Sequence, residues 1–162
     1  MHMKIPAPFA QYECAVLPEW IDYNRHMNVG FYLLPFEQAA KPFFTWLDLS
    51  ARYRKESGCS VFVAEAHLTF EREVFEGDRL RFETYLLGSR AKVINVIYLM
   101  YHAEDGYLAA TNEVVYIHVD SQSKRSRPFP NAHLQFLDKV AKAHAELPRP
   151  SQAGRAIKID SE

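Results

Sequence analysis

In Val61–Phe70 the even positions Phe62, Ala64, Ala66, Leu68 and Phe70 are all apolar, while the odd ones include Glu65, His67 and Thr69. A period of two sustained this long predicts a strand with one face against a core and the other against solvent or another subunit. Three more segments carry strand signals. Arg79–Leu87 alternates with Leu80, Phe82 and Leu86 inward and Arg81, Glu83 and Tyr85 outward, after a Glu76-Gly77-Asp78 turn. Beyond a turn at Gly88-Ser89, Lys92–Tyr101 is apolar on nearly both faces and reads as a central strand. Glu104-Asp105-Gly106 is a hairpin signal, and Tyr107–Val119 closes the set.

Ahead of these lie a short strand, Tyr12–Leu17, ended by Pro18, and a helical pattern from Val29 to Leu47. Val29, Leu33, Phe36, Ala40, Phe43, Phe44 and Leu47 give the helix an apolar stripe about 27 Å long. Pro35 and Pro42 fall inside it, each costing about 3 kcal/mol unless the helix bends, so a kink is predicted. After Pro128 and Pro130, Asn131 is placed to cap a last helix with the stripe Leu134, Leu137, Val140 and Ala141. The expected order is strand, long helix, four-strand antiparallel meander, helix. In this α+β domain the sheet wraps the long helix and buries Leu33, Phe36, Phe43 and Leu47 against the even face of Val61–Phe70. Residues 9–147 are read as one domain, with loose segments at 1–8 and 148–162. His2-Met3 reads as a cloning remnant, with Met3 the natural start.

A chain of 162 residues that is 48% apolar and 14% aromatic is long enough to bury one such core. With 19 Lys+Arg against 20 Asp+Glu, the net charge of −1 gives no electrostatic case for nucleic acid or an anionic membrane. Cys14 and Cys59 show no paired spacing, so no disulfide framework is expected and a reducing compartment is the default. Met1–Val16 lacks the apolar core of a signal peptide, and no apolar run approaches the roughly 18 residues of a membrane span. A soluble, cytoplasmic protein is expected.

GxSxG, P-loop, GxGxxG, HExxH and Cys/His zinc spacings are missing, and the seven histidines are scattered. Neither a metal nor a bound cofactor is expected. The remaining candidate is Asp22-Tyr23-Asn24-Arg25-His26-Met27-Asn28, just before the helical pattern. Helix entrances present unpaired N–H groups and a partial positive charge, which suit a developing oxyanion. A carboxylate there fits hydrolysis. The plainer alternative is that Asp22 and Asn28 only cap turns.

This loop, followed by Tyr32-Leu33 and Phe36-Glu37-Gln38-Ala39, resembles the active-site loop and central helix of hotdog-fold acyl-CoA thioesterases of the 4-hydroxybenzoyl-CoA thioesterase type. The Gly77-Asp78 turn, Ala110-Thr111 and His118-Val119-Asp120 also resemble that family. Within it, the DYN-x-HMN form with Glu65-x-His67 is most similar to betainyl-CoA thioesterases. One departure stands out: the family usually has Gly where this chain has Arg25, and a left-handed turn there penalises Arg by about 1–2 kcal/mol.

The resemblance implies a hotdog fold and hydrolysis of a small acyl-CoA, with Asp22 attacking the thioester carbonyl or activating water, and coenzyme A present only as part of the substrate. It implies backbone N–H groups of Val29 and Gly30 at the oxyanion, His26 positioning the loop, and Asn28 either capping the helix or orienting Asp22. Tyr23, Asn24, Arg25 and Tyr32 are candidates for the pocket. Glu37 is read as a hydrogen-bonding residue or a second base. Glu65 and His67 belong to a solvated or interface face, or reach a site formed across a dimer. Arg90 with Lys92, and Lys124-Arg125-Ser126-Arg127, are basic clusters able to hold coenzyme A phosphates. For an acyl group bearing a quaternary ammonium, Trp20, Tyr23, Phe31 and Trp46 are cage candidates. A homodimer or dimer of dimers is expected. A dehydratase-like hotdog and a non-catalytic acyl- or CoA-binding hotdog module are the competing readings.

Overall fold

A computed structural model describes residues 4–159; His2-Met3 and the outer ends of the two loose segments lie outside the described residues. The sheet has five antiparallel strands, β1 (Glu13–Ala15), β2 (Cys59–Phe70), β3 (Arg79–Arg90), β4 (Val93–His102) and β5 (Leu108–Asp120), in the order β1-β3-β4-β5-β2. It curls around α1 (Leu33–Trp46), with α2 (Ala51–Ser57) leading into β2 and α3 (Asn131–Ala145) packed on β3. This is the hotdog arrangement, and β4 is central as its two apolar faces predicted.

The four-strand meander is corrected. Only β3, β4 and β5 follow one another; β2 lies outside β5, so residues 71–78 carry the chain from one side of the sheet to the other. Val74 anchors that crossing, fully buried.

The reading of the even face of β2 as its core face throughout is also corrected. Pairing with β5 slips between Val63 and Glu65, leaving Ala64 as an extra residue. A bulge of this kind inverts which side chains face the core. Val61 and Val63 pair with His118 and Tyr116 on the concave side, Phe62 pairs with Ile117 on the convex side, and beyond the bulge Ala66 and Leu68 face inward. As an edge strand β2 is covered poorly: Phe62 is 43% exposed and Phe70 49%.

The core gathers on α1 instead. The Phe36 ring meets Phe82 at 5.7 Å and Tyr98 at 6.5 Å, Phe43 meets Phe9 at 5.3 Å, and Phe44 meets Tyr116 at 4.8 Å, all in edge or tilted geometry that favours the ring quadrupoles. Phe36, Phe43 and Leu47 are buried as expected, whereas Leu33 is 48% exposed. The helix also starts later than expected, because Val29–Phe31 form a 3-10 turn capped by Asn28. Pro35 sits in the first turn, where its missing N–H has no helical partner, and Pro42 is interior. The short helix α2 was not foreseen; Tyr53 is its sole buried residue, and Gly58 closes it at φ 69°. Asn131 begins α3 without the expected capping bond, since Pro130 occupies the cap.

After α3 the chain returns along the sheet. The Gly154 N–H donates to Glu113 Oε2 (2.6 Å), and Gln152 Nε2 donates to Glu71 Oε1 (3.2 Å). No helix among the described residues is long and apolar enough to cross a membrane.

His144 ties three elements together. Its Nδ1 accepts from the Leu86 N–H (2.9 Å) and its Nε2 donates to the Pro6 carbonyl (2.9 Å). That pattern needs the neutral ring, and burial lowers its pKa below the usual value. The unfolded chain therefore binds the proton more readily. Stability is complete above about pH 6.5 and is lost as pH falls through the depressed folded value, with buried His118 contributing in the same sense. Urea unfolding of His144→Leu is expected to show a loss of about 1–3 kcal/mol, from the stranded Leu86 N–H and Pro6 carbonyl, and a shallower decline in acid than the parent.

Candidate active site

Trp20 to Asn28 closes into a tight hairpin. The Asn28 N–H donates to the Trp20 carbonyl (2.9 Å), Ile21 pairs with Met27, the Asp22 N–H donates to the His26 carbonyl (3.2 Å), and the Arg25 N–H returns to the Asp22 carbonyl (2.9 Å). Met27 is buried, and its N–H donates to the Val74 carbonyl (2.9 Å), pinning the hairpin to the β2–β3 crossing. Three residues are left at the tip, with Arg25 in the left-handed region at φ 65°. The position that usually holds glycine thus keeps a glycine-like backbone. Arg25 carries the strain, and its side chain is exposed.

This hairpin aims the carboxylate. Asp22 Oδ1 accepts from the Asn24 N–H (2.8 Å), and Oδ2 accepts from Asn28 Nδ2 (3.0 Å). Asn28 Oδ1 in turn accepts from the Gly30 N–H (2.8 Å). Because a backbone N–H can only donate, the Asn28 oxygen must face Gly30, and its amide nitrogen must face Asp22. Asn28 therefore both caps the 3-10 turn and orients Asp22, joining the two alternatives. A Cβ on Gly30 would sit 3.2 Å from Asn28 Oδ1, so glycine leaves room for this amide. The Gly30 N–H is engaged by Asn28, whereas among the described residues nothing accepts from the Val29 N–H.

A cleft of about 320 Å³ opens beside the hairpin, lined by His26, Met27, Val29 and Tyr32 on one side and Phe70, Glu71, Arg72 and Glu73 on the other. Asp22 is half-buried and is not itself in the lining. His26 Nδ1 lies 3.4 Å from the Met27 carbonyl. Tyr32 is buried, and its ring meets Phe70 edge-on at 5.0 Å. Burial, then Tyr107 and Glu73, push its hydroxyl up to about 12. Residues 70–73 were missed in the sequence; the signal available was the loss of alternation at Glu71-Arg72-Glu73.

Other predicted residues lie elsewhere. Tyr23 stands 91% exposed at the hairpin tip, with Asn24 and Arg25 exposed beside it. Glu37 lines a separate groove between α1, α2 and β2 and pairs with Lys41 at 3.9 Å. Glu65 and His67 do share a face, as predicted, but they line a convex-side depression with Glu113 and the returning chain at Arg155. The aromatic cage does not assemble: Trp46 packs between Phe9, Phe43 and Phe136, and Trp20 and Phe31 lie against the core.

Arg90 and Lys92 sit at the β3–β4 hairpin, and here the structure unites what the sequence separates. Lys92 Nζ donates to Ser126 Oγ (3.4 Å) and the Phe129 N–H donates to the Ala91 carbonyl (2.8 Å), so the two basic clusters adjoin. His118 belongs to the same end as a structural group, donating from Nδ1 to the Arg127 carbonyl (2.6 Å) and accepting at Nε2 from the Tyr53 hydroxyl (2.8 Å). Among the described residues no group of His, Cys, Asp and Glu is placed to hold a metal ion.

A sheet curled round one helix is the hotdog fold, and the chain is a hotdog thioesterase, a hydrolase of thioesters. The chain belongs to the Thioesterase-like superfamily, whose pattern it matches over residues 16–159. It is 39% identical over 146 residues to the betainyl-CoA thioesterase of Pseudomonas aeruginosa, covering 90% of this chain and 92% of that one. It is 34% identical to the L-carnitine dehydrogenase/betainyl-CoA thioesterase of Agrobacterium fabrum, where 93% of this chain spans 31% of the larger protein. A Staphylococcus aureus protein solved in complex with CoA superposes with a TM-score of 0.84 at 26% identity, covering 98% of this chain and 100% of that one.

Replacing Arg25 with Gly is expected to relieve the left-handed strain and raise stability by about 1 kcal/mol, read as a higher urea midpoint at unchanged slope.

Proposed function

We propose that the protein hydrolyses a small acyl-CoA, betainyl-CoA foremost, to the free acid and coenzyme A, with Asp22 as the reacting carboxylate. The observation that carries this reading is the Asn28 bridge, which ties the Asp22 carboxylate to the residue that opens the helical turn, next in sequence to the Val29 N–H, unengaged among the described residues. The substrate choice rests on the 39% identity to the Pseudomonas enzyme.

Coenzyme A leaves as a thiolate. Thiols have a pKa near 8.5, taking cysteine as proxy, so the leaving group needs little acid assistance and one carboxylate suffices. With the thioester carbonyl oxygen at the Val29 N–H, negative charge developing on it meets a backbone donor and the positive helix end, a contribution of about 3–4 kcal/mol. Asp22 then acts by one of two routes. In the first it attacks the carbonyl carbon, the C–S bond breaks, and water cleaves the resulting anhydride. In the second it takes a proton from a water that attacks in its place. Gly30, first read as a second oxyanion donor, instead holds Asn28 in register. His26 shapes the cleft wall.

The assembly we favour is a homodimer formed through β2, with further pairing into a dimer of dimers. In support, β2 is an uncovered edge carrying exposed Phe62, Val63 and Phe70, next to exposed Val29, Leu33 and Leu34 at the start of α1. The joined basic clusters sit beyond the Cys59 end of β2, roughly 40 Å from the Phe70 end beside the hairpin. Antiparallel pairing of two β2 strands would bring one protomer's Arg90, Lys92, Lys124 and Arg125 towards its partner's cleft, where the phosphates of coenzyme A need cations.

Thiol release from a panel of acyl-CoA esters tests the reading. Asp22→Asn is expected to lower kcat at least about a hundredfold, and Asn28→Ala, which frees the carboxylate to rotate, about tenfold or more. Full activity in Asp22→Asn would remove Asp22 from its role. Tight binding of the esters with no hydrolysis would favour the binding-module reading.

A further inference from the structure

The cleft beside the hairpin contains a feature that the hydrolytic chemistry does not require. Cleaving a thioester calls for a carboxylate and an oxyanion donor, yet the far wall carries two further carboxylates, Glu71 and Glu73, and a half-exposed phenylalanine, Phe70. The cation between them is turned aside: the Arg72 guanidinium lies 4.0 Å over the Tyr107 ring. Tyr107 also donates its hydroxyl to the Glu73 carbonyl (3.0 Å), so stacking and hydrogen bond together fix the start of the crossing that presents Glu73. Glu71 accepts from Gln152 of the returning chain. Among the described residues no partner binds the Glu73 carboxylate, which is close enough to Tyr32 to help raise that hydroxyl's pKa. The rings of Tyr32 and Phe70, which line the same cleft, meet edge-on.

Two aromatic rings and an unpaired carboxylate lining one cleft suit one kind of group. A quaternary ammonium donates no hydrogen bond and spreads its charge over methyl groups, so it is recognised by ring faces and nearby negative charge. An acyl chain with its carbonyl at Val29 places its next atoms towards this wall, because Val29 lines the same cleft. Resting on the hydrolase reading above, we infer that Tyr32, Phe70 and Glu73 form the acyl pocket, and that it selects acyl groups ending in a quaternary ammonium, with Glu73 the residue that reads the charge.

The test compares betainyl-CoA with its uncharged carbon isostere, 3,3-dimethylbutanoyl-CoA, in which a tert-butyl group replaces trimethylammonium at nearly equal size. Wild-type kcat/KM is expected to favour the charged ester by about tenfold or more. Glu73→Gln is expected to erase most of that preference by weakening the charged substrate alone, leaving the isostere within about twofold. Phe70→Leu is expected to reduce the preference less. Equal kcat/KM for the two esters in the wild type, or a preference unchanged in Glu73→Gln, overturns the inference while leaving the hydrolase intact. Should neither ester turn over, the hydrolase reading fails, and calorimetric affinities still decide the pocket. Tighter binding of the charged ester, lost in Glu73→Gln, sustains it; equal binding overturns it.

Discussion

The amide of Asn28 has two ends of opposite polarity, and the site engages both. Its oxygen accepts from the Gly30 N–H and starts the 3-10 turn; its nitrogen donates to Asp22. Neither end can be exchanged, because the Gly30 N–H admits only an acceptor. The direction of α1 and the rotamer of Asp22 are thereby coupled through one planar group. The same turn engages the Gly30 N–H and leaves that of Val29 unengaged among the described residues, so one interaction fixes the carboxylate and decides which N–H stays available. The surrounding hairpin holds this arrangement in place: Met27, buried and bonded to Val74, roots it in the crossing between β2 and β3.

Sheet order explains why the cleft lies where it does. Since β2 pairs with β5 and not with β3, the chain leaves β2 at Phe70 and must cross the sheet, passing beneath the hairpin at Val74. The crossing brings residues 70–73 opposite Val29 and Tyr32. A simple meander would have turned at once into β3 and left no second wall. The order that leaves β2 uncovered as an edge thus also builds the far side of the cleft.

The architecture was largely legible in the sequence, and the reasons are physical. Alternation over Arg79–Leu87 and the doubly apolar Lys92–Tyr101 identified β3 and a central β4, because side-chain faces are set locally by the pleat. Where non-local pairing decides, local pattern failed. The bulge at Ala64 is a property of the β2–β5 ladder, and it inverted the faces inferred for Phe62 and Val63. The edge position of β2 and the crossing at residues 71–78 have no signature in a single strand's period. Helix α2 was missed because seven residues with one buried side chain offer no periodic stripe. At the site, the Asp22–Asn28 run stood out by its place just before the helical pattern and then by its resemblance, and Arg25 adopts the left-handed turn considered for that position. The cleft wall at Phe70–Glu73 and the joining of the two basic clusters went unseen, since each is assembled from segments distant in sequence.

The account turns on where a bound thioester carbonyl rests. A crystal structure with a ketone analogue of a short acyl-CoA, with methylene replacing the ester sulfur, addresses this directly. The carbonyl oxygen is expected about 3 Å from the Val29 nitrogen, with the Asp22 carboxylate facing the carbonyl carbon and still held by Asn28. A carbonyl seated away from Val29, with Asp22 unable to reach it directly or through one water, would contradict the account.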